Sequence, residues 1–440
     1  MKNCFFPTPE SVVRTYLQKE IPERCTNVLE PSVGDGALLK AISGRFDKLT
    51  VLDINIENLK RARALNELTD KRSIRFINKD FLLYETKQKF DLVIANPPFK
   101  NKLKDFVEYN GRRVPIELAF VQKCISHLSP GGRAVFILPS SIISGEKTRW
   151  LRKELTEHYR LNSIYKLKKF SFKKVESGFY VLCLTNSPPL DNNLVSLHPL
   201  EDDSFTVPPK TIQHYDYEFD PETLMHRLDY RALARHFGSV RLCDVADLSR
   251  GNICATNNKR QIYHTTDFKS LVAHDKEIQS GLKSSAKLQL HDLVLKRIGR
   301  GSSSSLAMFV GLKDTPCSDC LIRIKPKRPG GWEASNLLLR ARISILLGGK
   351  YEFEVSGSGA NYVSLQKLKN LLLIDINKFA HESTVTAYYN AILEGDIFAA
   401  LSIEKSIASI INNEFHSTCI TSISSQLIFD SSNLQVALGA

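Results

Sequence analysis

Phe90-Asp91-Leu92-Val93-Ile94-Ala95-Asn96-Pro97-Pro98-Phe99 joins an apolar run to a tetrad that no strand can absorb. The run 90–95 reads as a buried strand, too short and too β-branched for a helix. The two prolines that follow remove ladder donors and fix φ, so a stiff loop must stand at the strand's carboxyl end. Such loops are where open α/β sheets bind ligands. This one carries an amide, outward carbonyls and an aromatic ring, a set suited to holding a planar, amino-bearing base.

Working outward from the loop, strand and helix patterns alternate. A helix is expected over 10–20, a strand over 27–30, a helix over 36–45, a strand over 49–54 and a helix over 56–68. Strands follow over 74–78 and 91–95. A helix over 116–128 is closed by Ser129-Pro130-Gly131-Gly132, and strands are expected over 133–138, 163–167 and 179–185. This alternation predicts a largely parallel sheet with helices on both faces. From 186 to 210 the composition turns to Pro, Asn, Asp and Ser, which reads as a connection. The remainder carries short strands, many turns and late helices. Residues 351–355 are strand-like, a helix begins over 365–372, and 396–413 is amphipathic, followed by a loosely held serine-rich end. The expected division is 1–190, a linker over 191–214 and a second domain over 215–440.

Three further strand ends carry polar groups. Leu29-Glu30-Pro31-Ser32-Val33-Gly34-Asp35-Gly36 closes the first strand with glycines that permit a sharp turn and close approach to a ligand. Asp53 ends the second strand, where an acid can hold ribose hydroxyls. Asp80 follows the third, placed to accept a hydrogen bond from an adenine amino group. Taken singly, each acid is more often a cap or a solvated residue. In register ahead of a proline loop, they describe a nucleoside-sized site.

The chain holds 440 residues with a formal charge of +13, an excess that favours a polyanionic partner. Nine cysteines are scattered without repeated spacing. With no signal-peptide pattern, they imply reduced thiols in a bacterial or archaeal cytoplasm. Cys317 and Cys320 form the one close pair and lack a second pair at zinc spacing, so no metal site is expected. No apolar stretch reaches membrane-spanning length.

In order and content these motifs resemble gamma-class, TaqI-like DNA N6-adenine methyltransferases. Phe6-Pro7-Thr8-Pro9 resembles the family's N-terminal cofactor motif. The run 30–36 resembles its glycine motif, and Asn96-Pro97-Pro98-Phe99 its catalytic loop. The resemblance covers roughly the first 185 residues closely. It implies a Rossmann-like α/β methyltransferase domain followed by an α+β target-recognition domain. It implies S-adenosyl-L-methionine as cofactor, held by Thr8, Glu30, Pro31, Gly34, Gly36, Asp53 and Asp80. The catalytic set is Asn96, Pro97, Pro98 and Phe99. Phe99 stands where tyrosine is common, keeping a stacking face and losing a hydroxyl.

The segment 167–175 resembles the family element whose aromatic packs on a flipped-out base. Phe170 fits that position best, with Phe172 the alternative and an ordinary core role for both still open. In the second domain, His226-Arg227-Leu228-Asp229-Tyr230 resembles the start of target-recognition domains in type I specificity subunits. The runs 242–251 and 292–301 resemble their repeated strand-and-turn segments, and 356–369 resembles their turn before a helix. Lys296, Arg297 and Arg300 are the DNA-binding candidates there.

The implied function is methylation of adenine N6 in double-stranded DNA by a monomer, as the modification enzyme of a restriction-modification system or as an orphan. A separate cognate restriction endonuclease is a further expected partner. The alternatives left open are an RNA adenine methyltransferase, a protein glutamine methyltransferase and, from another class, a non-catalytic DNA-binding specificity protein.

Overall fold

The computed structural model describes residues 7–65, 73–99, 106–168, 178–190, 192–252, 262–268, 271–274, 286–299, 301–355 and 362–437, with side chains to 418. Phe6, Phe170, Phe172 and Arg300 lie outside the described residues. The chain divides into two units, Met1–Leu224 and Met225–Ala440, the boundary falling within the helix Pro221–Phe237.

The first unit is built on strands β1 (Cys25–Glu30), β2 (Phe46–Asp53), β3 (Ile74–Asn78) and β4 (Phe90–Ala95). A hairpin of β5 (Phe106–Tyr109) and β6 (Arg112–Pro115) follows, then β7 (Leu128–Pro139), β8 (Arg160–Lys166), β9 (Phe179–Thr185), β10 (Val195–His198) and β11 (Phe205–Val207). Nine of them form one sheet in the order β11-β10-β8-β9-β7-β4-β1-β2-β3. β1 to β4 and β7 run parallel, and β9 is antiparallel to both of its neighbours. This is the Rossmann-like α/β arrangement expected from the sequence. The strand order reverses between β1 and β4, so the carboxyl ends of these two strands flank the switch point where ligands sit in such sheets. The central strands are buried on both faces: Leu92, Val93, Ile94 and Ala95 are each 0% exposed.

Several sequence expectations need correction. The stretch 191–214 is not a bare connection. It contributes β10 and β11 to the sheet edge, where Leu197 and Val195 are fully buried. The helix expected over 36–45 spans Ala37–Ile42, because β2 already begins at Phe46. Ser129-Pro130-Gly131-Gly132 does not cap a helix. It lies inside β7, where Gly131 at φ 76° accommodates a pairing irregularity against β4.

In the second unit, the strands Ala246–Arg250, Leu321–Pro326, Leu293–Lys296, Ala307–Phe309 and Val272–Ala273 form one sheet in that order. The helices Gly331–Ser344, Glu382–Glu394 and Ile397–Ala437 contribute Leu338, Tyr388 and Ile411 to the same buried core. Of residues 351–355, expected as strand, 351–353 are helical, and only Glu354–Val355 is extended. The helix expected over 396–413 continues to Ala437.

Candidate active site

The site grows from the ends of β1, β2, β3 and β4. After β1 the chain turns through Gly34 (φ 55°) and Gly36 (φ 83°) into the helix Ala37–Ile42. The positive φ at Gly36 demands glycine, and a Cβ there would also come within 2.5 Å of the Leu65 side-chain end, which would have to shift. Asp53 closes the turn from the neighbouring strand. Its Oδ2 accepts from the Gly34 amide (2.9 Å) and from Asn58 Nδ2 (3.0 Å), while Oδ1 accepts from the Asn55 amide (2.8 Å). Three of roughly four acceptor positions on this carboxylate are thus spent within the fold. Asp53 is first of all the clasp that shapes the glycine turn.

Asp80 is half-buried and caps the short turn Phe81–Leu83, accepting from the Leu82 amide at 2.9 Å. Asn78, which the motif reading passed over, pins the β2 and β3 ends together. Its Nδ2 donates to the Asp53 carbonyl (2.9 Å) and the Ile54 carbonyl (3.0 Å). The only sequence signal for it was an amide at a strand end.

Glu30 differs from these acids. It is 0% exposed, and Oε1 accepts from the Ser32 amide at 3.0 Å. Among the described residues Oε2 has no partner. Burial, followed by the repulsion of Asp53 and Asp35, outweighs the Ser32 hydrogen bond and pushes this carboxyl up to about 8. A buried acid with an unused oxygen and no cation beside it fits a ligand that brings positive charge.

The proline loop is tied to this wall by two side chains. Asn96 Nδ2 donates to Thr8 Oγ1 at 2.8 Å, and the Ser32 hydroxyl donates to the Asn96 carbonyl at 3.2 Å. Thr8 is buried. It therefore meets the Asn96 amide directly; the resemblance assigns Thr8 to the cofactor. Ser32 was quoted within the glycine run but given no role, and its bond to the loop spans 64 positions of sequence.

Phe99 is 7% exposed and packs on Phe179 of β9, ring centroids 4.9 Å apart. It is a packed ring in this structure, and stacking on a base requires one face to be uncovered when the base enters. Pro97 is buried and Pro98 half-buried.

Residues 35–172 match the family model described as Eco57I restriction-modification methylase. That match lies within the first unit. Among curated relatives, the modification methylase CviBIII of Paramecium bursaria Chlorella virus NC1A is 26% identical over 166 residues, 37% of this chain and 43% of that protein. A tRNA1(Val) (adenine(37)-N6)-methyltransferase of Aliivibrio fischeri is 30% identical over 154 residues, 33% of this chain and 63% of that protein. The chain spans less than half the length of the first curated relatives it matches. The structure of the type IIG restriction endonuclease BpuSI aligns over 92% of this chain and 65% of its own, at 12% identity and a TM-score of 0.47.

The residues at these strand ends fit S-adenosylmethionine, the cofactor that the resemblance implies. The unused Glu30 oxygen suits a cationic group. Among the described residues no helix is long and apolar enough to cross a membrane, and no cluster of His, Cys, Asp and Glu is arranged to hold a metal.

The second-unit candidates separate. Lys296 ends the central strand Leu293–Lys296, its Nζ 4.8 Å from the Phe268 ring centroid. Arg297 donates through Nε to the Asp319 carbonyl at 3.0 Å. Arg250, absent from the sequence candidates, donates to the same carbonyl and pairs with the Asp319 carboxylate at 2.9 Å. Two arginines thus meet at the Asp319 carbonyl and one of them also at its carboxylate, a grouping that sequence distance concealed.

Proposed function

We propose that this chain transfers a methyl group from S-adenosylmethionine to N6 of an adenine flipped out of double-stranded DNA, as the modification enzyme of a restriction-modification system or as an orphan methylase. The observation that carries the reading is the Thr8–Asn96 hydrogen bond at the end of β4, facing the strand that ends in Glu30. When bound, the cofactor supplies a methyl already activated on a sulfonium, so the protein's work is to bind, orient and exclude water.

The exocyclic nitrogen of adenine is a weak nucleophile, its lone pair being conjugated with the ring. With Asn96 Nδ2 committed to Thr8, the amide presents Oδ1 as its acceptor. Together with the Pro97 carbonyl, Oδ1 would accept the two amino hydrogens and draw the nitrogen toward tetrahedral geometry. No strong base is needed before attack, since the proton leaves once the nitrogen carries positive charge. Flipping costs a few kcal/mol. Stacking on Phe99 and Phe170 would return about 1–3 kcal/mol per ring. Pro31, Gly34, Gly36, Asp53 and Asp80 shape the cofactor's pocket, and Lys296, Arg297 and Arg300 are the candidates for contacts in the second unit.

Labelled-methyl transfer to duplex DNA, structured RNA and protein, followed by nucleoside digestion, tests this directly. The expected product is N6-methyladenine in duplex DNA alone. Asn96→Ala should lower transfer by about a hundredfold or more while cofactor binding persists. Robust product from that variant would refute the mechanism. The likeness to a tRNA adenine methyltransferase sustains a second reading, RNA as substrate, and label appearing only in RNA would establish it.

A further inference from the structure

The hairpin β5–β6 follows the proline loop and precedes the helix Ile116–Ser126. It is inserted between the carboxyl end of β4 and the helix that returns the chain, so both its ends lie on the rim that bears the site. Its tip, Asn110-Gly111, has φ of 50° and 71°. These are the signs of a tight hairpin turn whose twist matches its strands. The ribbon is held in register by Val107 opposite Val114 and Glu108 opposite Arg113.

Arg112 and Arg113 come directly after the tip, and both are exposed. The Arg112 guanidinium lies over Trp150, 5.1 Å from the ring centroid, and that of Arg113 lies over Phe106 at 5.6 Å. Trp150 opens the helix Arg149–His158, which follows β7 on the same rim. Among the described residues neither guanidinium has a carboxylate within 4.0 Å, not even Glu108, which faces Arg113 in register. Each is therefore held near an aromatic ring while its five N–H donors have no carboxylate among the described residues. Neighbouring strand residues point to opposite faces, so the ribbon offers a cation on either side. That geometry suits a chain of anions running past it better than a single carboxylate.

We propose that Arg112 and Arg113 seat backbone phosphates of the duplex beside the 96–99 loop, fixing the target strand as its base enters. The proposal rests on duplex DNA being the substrate. Phosphate contacts fix position without reading sequence.

The test is the salt dependence of duplex binding by the full chain, comparing Arg112→Gln/Arg113→Gln with the wild type. Two lost phosphate contacts should flatten the slope of log K against log salt by roughly 1.8. The dissociation constant should rise about tenfold near 0.1 M salt. The KM for DNA should rise alike on all sequences, and cofactor affinity should stay unchanged. Lys60→Gln/Arg63→Gln removes the same charge from the helix Ile56–Arg63, where Arg63 also lies over an aromatic ring, Phe76, at 4.9 Å. That control should leave the slope alone. If the double variant loses cofactor binding, Arg112→Gln alone serves, with about half the effect. An unchanged slope, or an equal loss in the control, overturns the proposal while duplex methylation by the wild type stands. A wild type that methylates only RNA overturns the substrate reading and this proposal with it.

Discussion

Two buried glutamates, one in each unit, show opposite uses of the same group. Glu30 and Glu404 are both 0% exposed. Glu30 stands at a strand end with one backbone amide for company, and its surroundings hold the proton on. Glu404, on the helix Ile397–Ala437, receives Arg342 Nε at 2.5 Å and the Tyr388 hydroxyl at 2.6 Å on one oxygen. Arg342 in turn donates to the carbonyls of Ser304 (3.2 Å) and Leu306 (3.0 Å). In the second unit the buried charge is answered from within, and it locks three helices to the segment that follows Lys296. In the first it awaits an answer from outside. A buried carboxylate marks a ligand site when its cation is missing and a structural joint when the cation is present.

The largest effect expected from this contrast is on stability. Arg342→Met leaves Glu404 buried without its cation and should cost about 3–5 kcal/mol in the second unit. Glu30→Gln removes a group that is already protonated and should cost under about 1 kcal/mol at neutral pH. Denaturant unfolding of the full chain, followed by a probe in each unit, checks both. Equal losses would erase the distinction.

A pH series sharpens it. The Glu30 carboxyl has a raised folded value, about 8, against an unfolded value near 4.5. Below 4.5 it is protonated in both states, and its relative contribution is complete. Between 4.5 and 8 the unfolded chain releases the proton and the folded chain keeps it. Stability should therefore fall as pH rises through that window and level off above it, by up to about 1.4 kcal/mol per pH unit. Glu30→Gln should remove this slope. Cofactor binding should release a proton from Glu30, seen by titration calorimetry in buffers of different ionisation enthalpy. A wild-type slope retained in the variant would assign the titration elsewhere.

Legibility in the sequence divides along the same line. The strands β1 to β4 and β9 are short apolar runs, and their polar ends could be read in order. Glu30, Asp53, Asp80 and Asn96 do converge on one rim of the sheet. Sequence patterns did not carry the pairings across long separations. Ser32 finds the Asn96 carbonyl, Arg342 finds Glu404, and Arg152 finds the Tyr217 carbonyl. Each depends on tertiary placement and not on local periodicity. β10 and β11 were hidden because edge strands of three or four residues among Asn, Asp and Pro look like loop. Phe99 was legible as an aromatic beside the amide, but its burial against Phe179 came from a strand 80 positions away.

The smallest expected effect isolates the outward-facing half of the comparison. Thr8→Val keeps the shape and removes the hydroxyl that receives Asn96 Nδ2. The lost hydrogen bond is worth about 1 kcal/mol, and a free amide can rotate away from the pose that offers its oxygen. Single-turnover methylation should slow about fivefold to tenfold, with cofactor affinity changed less than twofold. Thr8→Ser, which keeps the hydroxyl, should restore most of the rate. A loss of cofactor affinity equal to the loss of rate would return Thr8 to the cofactor. Slower chemistry with cofactor binding intact would make it a positioning residue, acting on the base through Asn96.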